Sequence, residues 1–133
     1  MKDAELEDDE LAKQARAEIK EARNKRIKAE QKRISRLFID MPPDEMQIVK
    51  NLIRRVAFMQ ITLEDCEEDI KEYGTTEMFS QNVACSYMRE RPIVRTFNIM
   101  IKNYTSTIKQ LLDMLPKGNA KVEEDELMKF IKK

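Results

Sequence analysis

The feature of this 133-residue sequence with the most chemical potential is a run of basic side chains near its start. The candidate nucleic-acid-binding residues are Lys13, Arg16, Lys20, Arg23, Lys25, Arg26, Lys28, Lys32, Arg33 and Arg36. Five of these, from Lys13 to Arg26, advance in steps of three and four, which places them on one flank of a helix. Cations along roughly 20 Å of helix match the spacing of backbone phosphates and bind by counterion release, without reading bases.

The charge is sorted along the chain although its formal sum is zero. Residues 1–10 hold one lysine against six acids, whereas residues 11–36 hold ten basic residues against three glutamates. A zero sum alone argues against a nucleic-acid partner, but the sorting matters more than the sum. The sequence therefore leaves two interpretations of the basic run, a nucleic-acid contact or an exposed helix kept soluble by its charge.

A second polar row lies between residues 91 and 109, again in steps of three and four. It contains no acid and comprises Arg91, Arg95, Asn98, Lys102, Thr105 and Lys109. If copies of the chain assemble in a ring, this row faces the central opening or the adjacent subunit. The alternative is an ordinary solvated helix surface.

Catalytic and metal chemistry lack their usual residues. The chain has no histidine, no glycine-rich phosphate loop and no GxSxG motif, and Cys66 and Cys85 are far apart in the sequence. The acids from Glu64 to Asp69 could hold Mg²⁺. Their positions around Leu63 instead favour a solvated helix face. We expect no catalytic residue, no metal and no cofactor.

No membrane partner is expected. No run approaches the roughly 18 apolar residues that a membrane span requires, and the acidic start differs from a signal peptide. The composition predicts a cytosolic protein with two unpaired thiols.

Residues 4–38 lack Gly and Pro and predict one long helix. Pro42 and Pro43 end it. Two heptad seams follow, each in alternating steps of three and four residues. The first comprises Val49, Leu52, Val56, Met59, Leu63, Cys66, Ile70 and Tyr73, and the second Val94, Phe97, Ile101, Tyr104, Ile108, Leu111 and Leu115. Their similar lengths predict an antiparallel helical hairpin.

The predicted fold is all-α, with a long N-terminal helix, this central hairpin and a short C-terminal helix, in an oligomeric assembly. The connector of residues 75–91 is long for a helical hairpin, so we expect it to pack on a neighbour. The predicted divisions are 1–41 for DNA contact, 44–116 for oligomerisation, and 117–133 for a linker and tail. Leu127, Phe130 and Ile131 form the apolar side of the tail helix.

The stretch RERPIVRTFNIMIKNYTSTIKQLLDMLP, residues 89–116, resembles the small terminase subunits of tailed bacteriophages in the subgroup built on a long helical hairpin. The resemblance rests on the Arg89 to Pro92 entry, the Phe97 to Met100 stretch and the run from Tyr104 to Leu115. With the preceding heptad helix and connector it covers residues 46–116. Many such subunits carry a helix-turn-helix before this region, and this chain has no helix pair of that kind there.

The resemblance implies a non-enzymatic, ring-forming subunit that engages double-stranded viral DNA in the host cytoplasm and regulates the large terminase subunit. The basic helix would contact DNA without sequence specificity, and the tail residues Leu127, Phe130 and Ile131 would dock on the large subunit. The alternative from another class is a coiled-coil adaptor or scaffold without DNA binding. A regulatory subunit of an enzyme is a third alternative.

Overall fold

The computed structural model describes residues 2–115, 128, 129, 131 and 132, and within them the fold is mostly helical. The elements are α1 (Lys2–Ser35), a short 3-10 helix (Arg36–Phe38), α2 (Pro43–Tyr73), β1 (Thr76–Asn82), β2 (Cys85–Glu90) and α3 (Pro92–Asp113). Three α-helices and one two-stranded antiparallel sheet thus make up the described chain.

The prediction of an all-α fold is wrong at the connector, which forms a β-hairpin. Phe79 pairs with Tyr87 and Met78 with Met88 across the two strands, and the register shifts between Ser80 and Asn82. The turn contains no glycine. Instead, the side-chain carbonyl of Asn82 accepts a hydrogen bond from the N–H of Ala84 at 3.0 Å, the short-range bond by which asparagine initiates turns.

The predicted helix boundaries are confirmed where proline and glycine mark them. Pro43 occupies the first turn of α2, where the missing N–H costs nothing. Gly74 follows the last turn with φ +78°, a value that side chains other than glycine rarely adopt. Its N–H donates to the carbonyl of Ile70 at 2.7 Å and closes the helix.

The core lies between α2 and its two neighbours, α1 and α3. The α2 heptad seam is buried at Val49, Val56, Met59, Leu63 and Cys66. A second buried stripe on α2 comprises Ile53, Ala57 and Ile61 and shares its helix face with Glu64, which contacts α1.

The helical hairpin is antiparallel, because α3 begins where α2 ends. Its first residues lie beside the end of α2, where the N–H of Arg91 donates to the carbonyl of Thr75 at 2.9 Å. Tyr104, Ile108, Leu111 and Leu115 are buried in the core, whereas Ile101, in the same seam, stays exposed. The first half of the α3 seam is therefore less completely covered than the second.

Helix α1 is buried in the core only near its end. Ile34, together with Phe38 of the 3-10 helix, is almost completely buried in the shared core. Every described residue of α1 up to Arg26 is exposed. The predicted tail helix lies mostly outside the described residues, and Leu127 and Phe130 are among those not described. Ile131 is described and is half-buried against the core.

Candidate nucleic-acid interface

The ten candidate cations of the first helix divide into two groups in the structure. One group is exposed and makes no side-chain ion pair with any residue that the structure describes; it comprises Lys13, Arg16, Lys20, Lys25, Lys28, Lys32 and Arg36. Four of these, from Lys25 to Arg36, advance in steps of three, four and four. Lys25, Lys28 and Lys32 line one flank of α1, and Arg36 follows as the first residue of the 3-10 helix, so the four span about 17 Å at roughly 1.5 Å per residue. We call these four residues, Lys25, Lys28, Lys32 and Arg36, the basic flank.

The second group of cations holds α1 against the protein. Arg26 donates hydrogen bonds to Asp65 at 2.7 Å and to Glu64 at 2.9 Å, and Arg23 lies 3.5 Å from Asp65. The hydrogen bond that Arg26 donates to Asp65 is the main cause that raises the pKa of Arg26. The exposed part of the row predicted from Lys13 to Arg26 therefore ends at Lys20, because its last two members, Arg23 and Arg26, face α2.

The same ion pairs revise the interpretation of the acids on α2. Glu67 and Glu68 are exposed, as a solvated face predicts. Glu64 and Asp65 instead bind α1, and Asp69 binds Arg91, the residue that precedes α3. Among the described residues, no group of three or more acids, cysteines or histidines is arranged to hold a metal ion.

Glu30 is the buried charged residue of α1, with 8% of its surface exposed. The Nε of Arg33 lies 3.2 Å from its carboxylate. Burial raises the pKa of Glu30, and Arg33 opposes the rise. Burial also raises the pKa of Tyr104 on α3 to about 12, and the charge of Glu30 adds to that rise. Arg33 thus compensates a buried carboxylate where α1 meets the core.

The polar row of α3 is exposed except at its first residue. Arg95, Asn98, Lys102, Thr105 and Lys109 all face solvent. Arg91 is different, with 15% of its side chain exposed. Its guanidinium bonds to Asp69 and donates to the carbonyl of Gly74 at 2.6 Å. Arg91 therefore joins the base of the β-hairpin to the end of α2.

Both faces of the β-hairpin carry apolar side chains that the rest of the chain leaves exposed. Met78 and Met88, which pair across the strands, are 64% and 57% exposed. On the other face, the rings of Phe79 and Tyr87 meet edge to face at 5.7 Å, and Arg89 stacks on Phe79. Two-stranded hairpins are marginal in water without a packing partner. The sequence predicts that this connector contacts a neighbour, but it does not predict the β-hairpin.

The two thiols lie in different environments. Cys66 is buried in the α2 seam, and burial, followed by the charge of Asp65, raises its pKa. It stays protonated near neutral pH, where the thiolate would be the reactive form. Cys85 is exposed at the start of β2.

No protein-family model, curated protein or solved structure matches this chain. None of the described helices combines the length and the apolar character needed to cross a membrane.

Proposed function

We propose that this chain is a small terminase subunit, a non-enzymatic component of a phage genome-packaging motor in the host cytoplasm. It binds double-stranded viral DNA through α1, assembles into a homo-oligomeric ring through its hairpin, and recruits DNA to the large ATPase and nuclease subunit. The proposal draws on the resemblance of residues 89–116 to such subunits. One structural observation supports it most, the basic flank of α1.

The basic flank suits DNA because its cations are exposed and have no acid partner among the described residues. Releasing them from other contacts costs nothing, whereas Arg23 and Arg26 would first have to leave Asp65. Cations spaced by three or four residues along a helical segment neutralise phosphates without contacting bases. The contact is therefore sequence-independent, and its affinity falls steeply with salt.

Assembly through the hairpin is supported by apolar side chains that a single copy leaves in solvent. Ile99 and Ile101 of α3 are exposed, and so are Phe58 of α2 and the methionine pair of the β-hairpin. Exposed apolar patches on a soluble protein commonly mark contacts with other chains. The α3 row from Arg95 to Lys109 is exposed as well and would face the ring opening or the next subunit.

The DNA contact is tested by measuring the affinity for mixed-sequence duplex DNA over a series of salt concentrations. Lys28→Gln, Lys32→Gln and Arg36→Gln together should weaken binding and make the salt dependence shallower by roughly 2 to 3 in the log–log slope. The matched control is Lys50→Gln with Arg54→Gln and Arg55→Gln, three exposed cations on α2. Absence of binding at about 50 mM salt, or equal losses in both variants, would overturn the assignment of α1.

A coiled-coil adaptor without DNA binding is the second candidate, and one observation favours it. Arg23 and Arg26 serve helix packing, which shows that cations of α1 can act within the fold. Native mass spectrometry separates the candidates further, since a ring-sized species favours the terminase subunit and a monomer or dimer favours the adaptor.

A further inference from the structure

The first part of α1, residues 2–22, lacks any covering element, and we call it the arm. Leu11 is 64% exposed and Ile19 is 58% exposed. Helices in water draw most of their stability from packing an apolar face, and the arm packs none of its own against the chain. Its apolar side chains therefore suit a second helix.

The arm has one face built for close helix packing. Leu11, Ala15, Ile19 and Ala22 advance in steps of four, four and three, and Ala12 lies beside them. Alanines leave little side-chain volume between two helices, so their axes can approach closely. The stripe is narrow, which suits a single partner helix and not a broad surface.

The charges on the arm select the partner and its direction. Acids fill residues 3–10 and cations follow from Lys13, so two parallel copies would place like charges side by side. Two antiparallel copies place acids beside cations. A second copy of α1 therefore complements the arm, and only in the antiparallel direction.

One register satisfies both the stripe and the charges. Glu7 and Lys25 are separated by eighteen residues, which is five full turns, so they lie on the same flank of α1. The same flanks meet in an antiparallel pair. Placing Glu7 beside the second copy's Lys25 also brings Asp3 beside Lys28 and lays the two alanine stripes against each other, centred near Arg16.

We propose that the α1 helices of two copies pair antiparallel in this register, from residue 3 to residue 29, which is about 39 Å of helix. The pair is closed by a two-fold axis, so each acid-to-cation contact occurs twice. This inference does not depend on the terminase assignment, but Lys25 and Lys28 belong to the basic flank, so the pairing and the proposed DNA contact compete for these two cations. The crosslinking below contains no DNA and therefore tests the pairing by itself. Glu10 and Glu21, which are eleven residues or about three turns apart, share one flank and approach each other at the outer edge of the pair, where solvent screens their repulsion.

Cysteine crosslinking in the full chain tests the direction of pairing. In a Cys85→Ser background, Ala4→Cys and Ala29→Cys place single exposed thiols on the stripe face, near opposite ends of the overlap. Antiparallel pairing brings residue 4 of one copy beside residue 29 of the other. A short bismaleimide should therefore join the two variants when they are mixed and should not join either one to itself.

Charge exchange tests what selects the partner. Two charge variants are made, Asp3→Lys with Glu7→Lys and Lys25→Glu with Lys28→Glu, and each is combined separately with Ala4→Cys and with Ala29→Cys. Crosslinking between the two cysteine forms of the same charge variant should fall by at least about tenfold. Mixing the two charge variants should restore it, because each contact then regains opposite charges. Crosslinking of either cysteine variant to itself, or a mixture that stays as weak as its components, would overturn the proposal. Absence of crosslinking at high concentration would also overturn it and leave the arm to DNA or another protein.

Discussion

The guanidinium of Arg26 lies 2.7 Å from the carboxylate of Asp65, a contact between residues 39 positions apart in the sequence. Asp65 also receives Arg23, so one carboxylate holds two cations of α1. Beyond this point α1 has no buried residue towards its start. The contact therefore marks where α1 stops being part of the core and becomes an arm.

Removing the charge of Asp65 should loosen α1 at this point. Asp65→Asn is expected to lower the free energy of unfolding by about 1 kcal/mol or less, because half-exposed ion pairs contribute little. Amide exchange in residues 20–28 should nevertheless accelerate clearly. Glu68→Gln is the control, since Glu68 lies on the same helix and pairs only with Lys71 at its surface. Equal exchange in both variants would show that Asp65 does not hold α1.

The burial of Glu30 predicts a stability effect that depends on pH. Because burial raises the pKa of Glu30 above its ordinary value of 4.5, ionising it opposes folding. Below pH 4.5 the carboxyl is protonated in both states and the penalty is absent. The penalty grows as pH rises from there to the folded-state pKa. Glu30→Gln should therefore raise the thermal midpoint at pH 7, and the gain should shrink towards pH 4. A gain that is independent of pH would contradict this account.

The two sides of α3 should respond differently to loss of apolar volume. Leu111 is fully buried, so Leu111→Ala should lower the free energy of unfolding by about 2–5 kcal/mol. Ile99 is exposed on the same helix, and Ile99→Ala should change it by about 0.5 kcal/mol or less in dilute protein. Urea titrations of both variants make the comparison. A larger effect at Ile99 would mean that its side is covered in solution, as hairpin assembly requires.

The helices were predictable because their signals are long or carried by single special residues. The α2 seam repeats over more than three heptads, and prolines and Gly74 mark its ends with local chemistry. The β-hairpin was not predicted because its turn contains no glycine and depends on the Asn82 side chain. The strands are also short and exposed on both faces, so burial leaves no alternating pattern in their sequence.

The candidate interface was predictable only in part, for a similar reason. The run of cations is visible in the sequence, but which of them stay exposed depends on acids far along the chain. Arg23 and Arg26 resemble Lys20 in local sequence and differ only through Glu64 and Asp65 on α2. Arg91 likewise matches a row of exposed polar residues in the sequence, but the fold places Asp69 and the carbonyl of Gly74 beside it.

The guanidinium of Arg91 should be required to hold the base of the β-hairpin. It contacts Asp69 and the carbonyl of Gly74 together, and a lysine ammonium has no planar fork to reach both. Arg91→Lys should therefore cost about 1 kcal/mol of stability and accelerate amide exchange in residues 76–90, while leaving the exchange of buried α3 residues unchanged. Arg95→Lys makes the same substitution one turn later at an exposed position, and it should change neither quantity. If both variants exchange alike, the β-hairpin is held by its own strand pairing and not by Arg91.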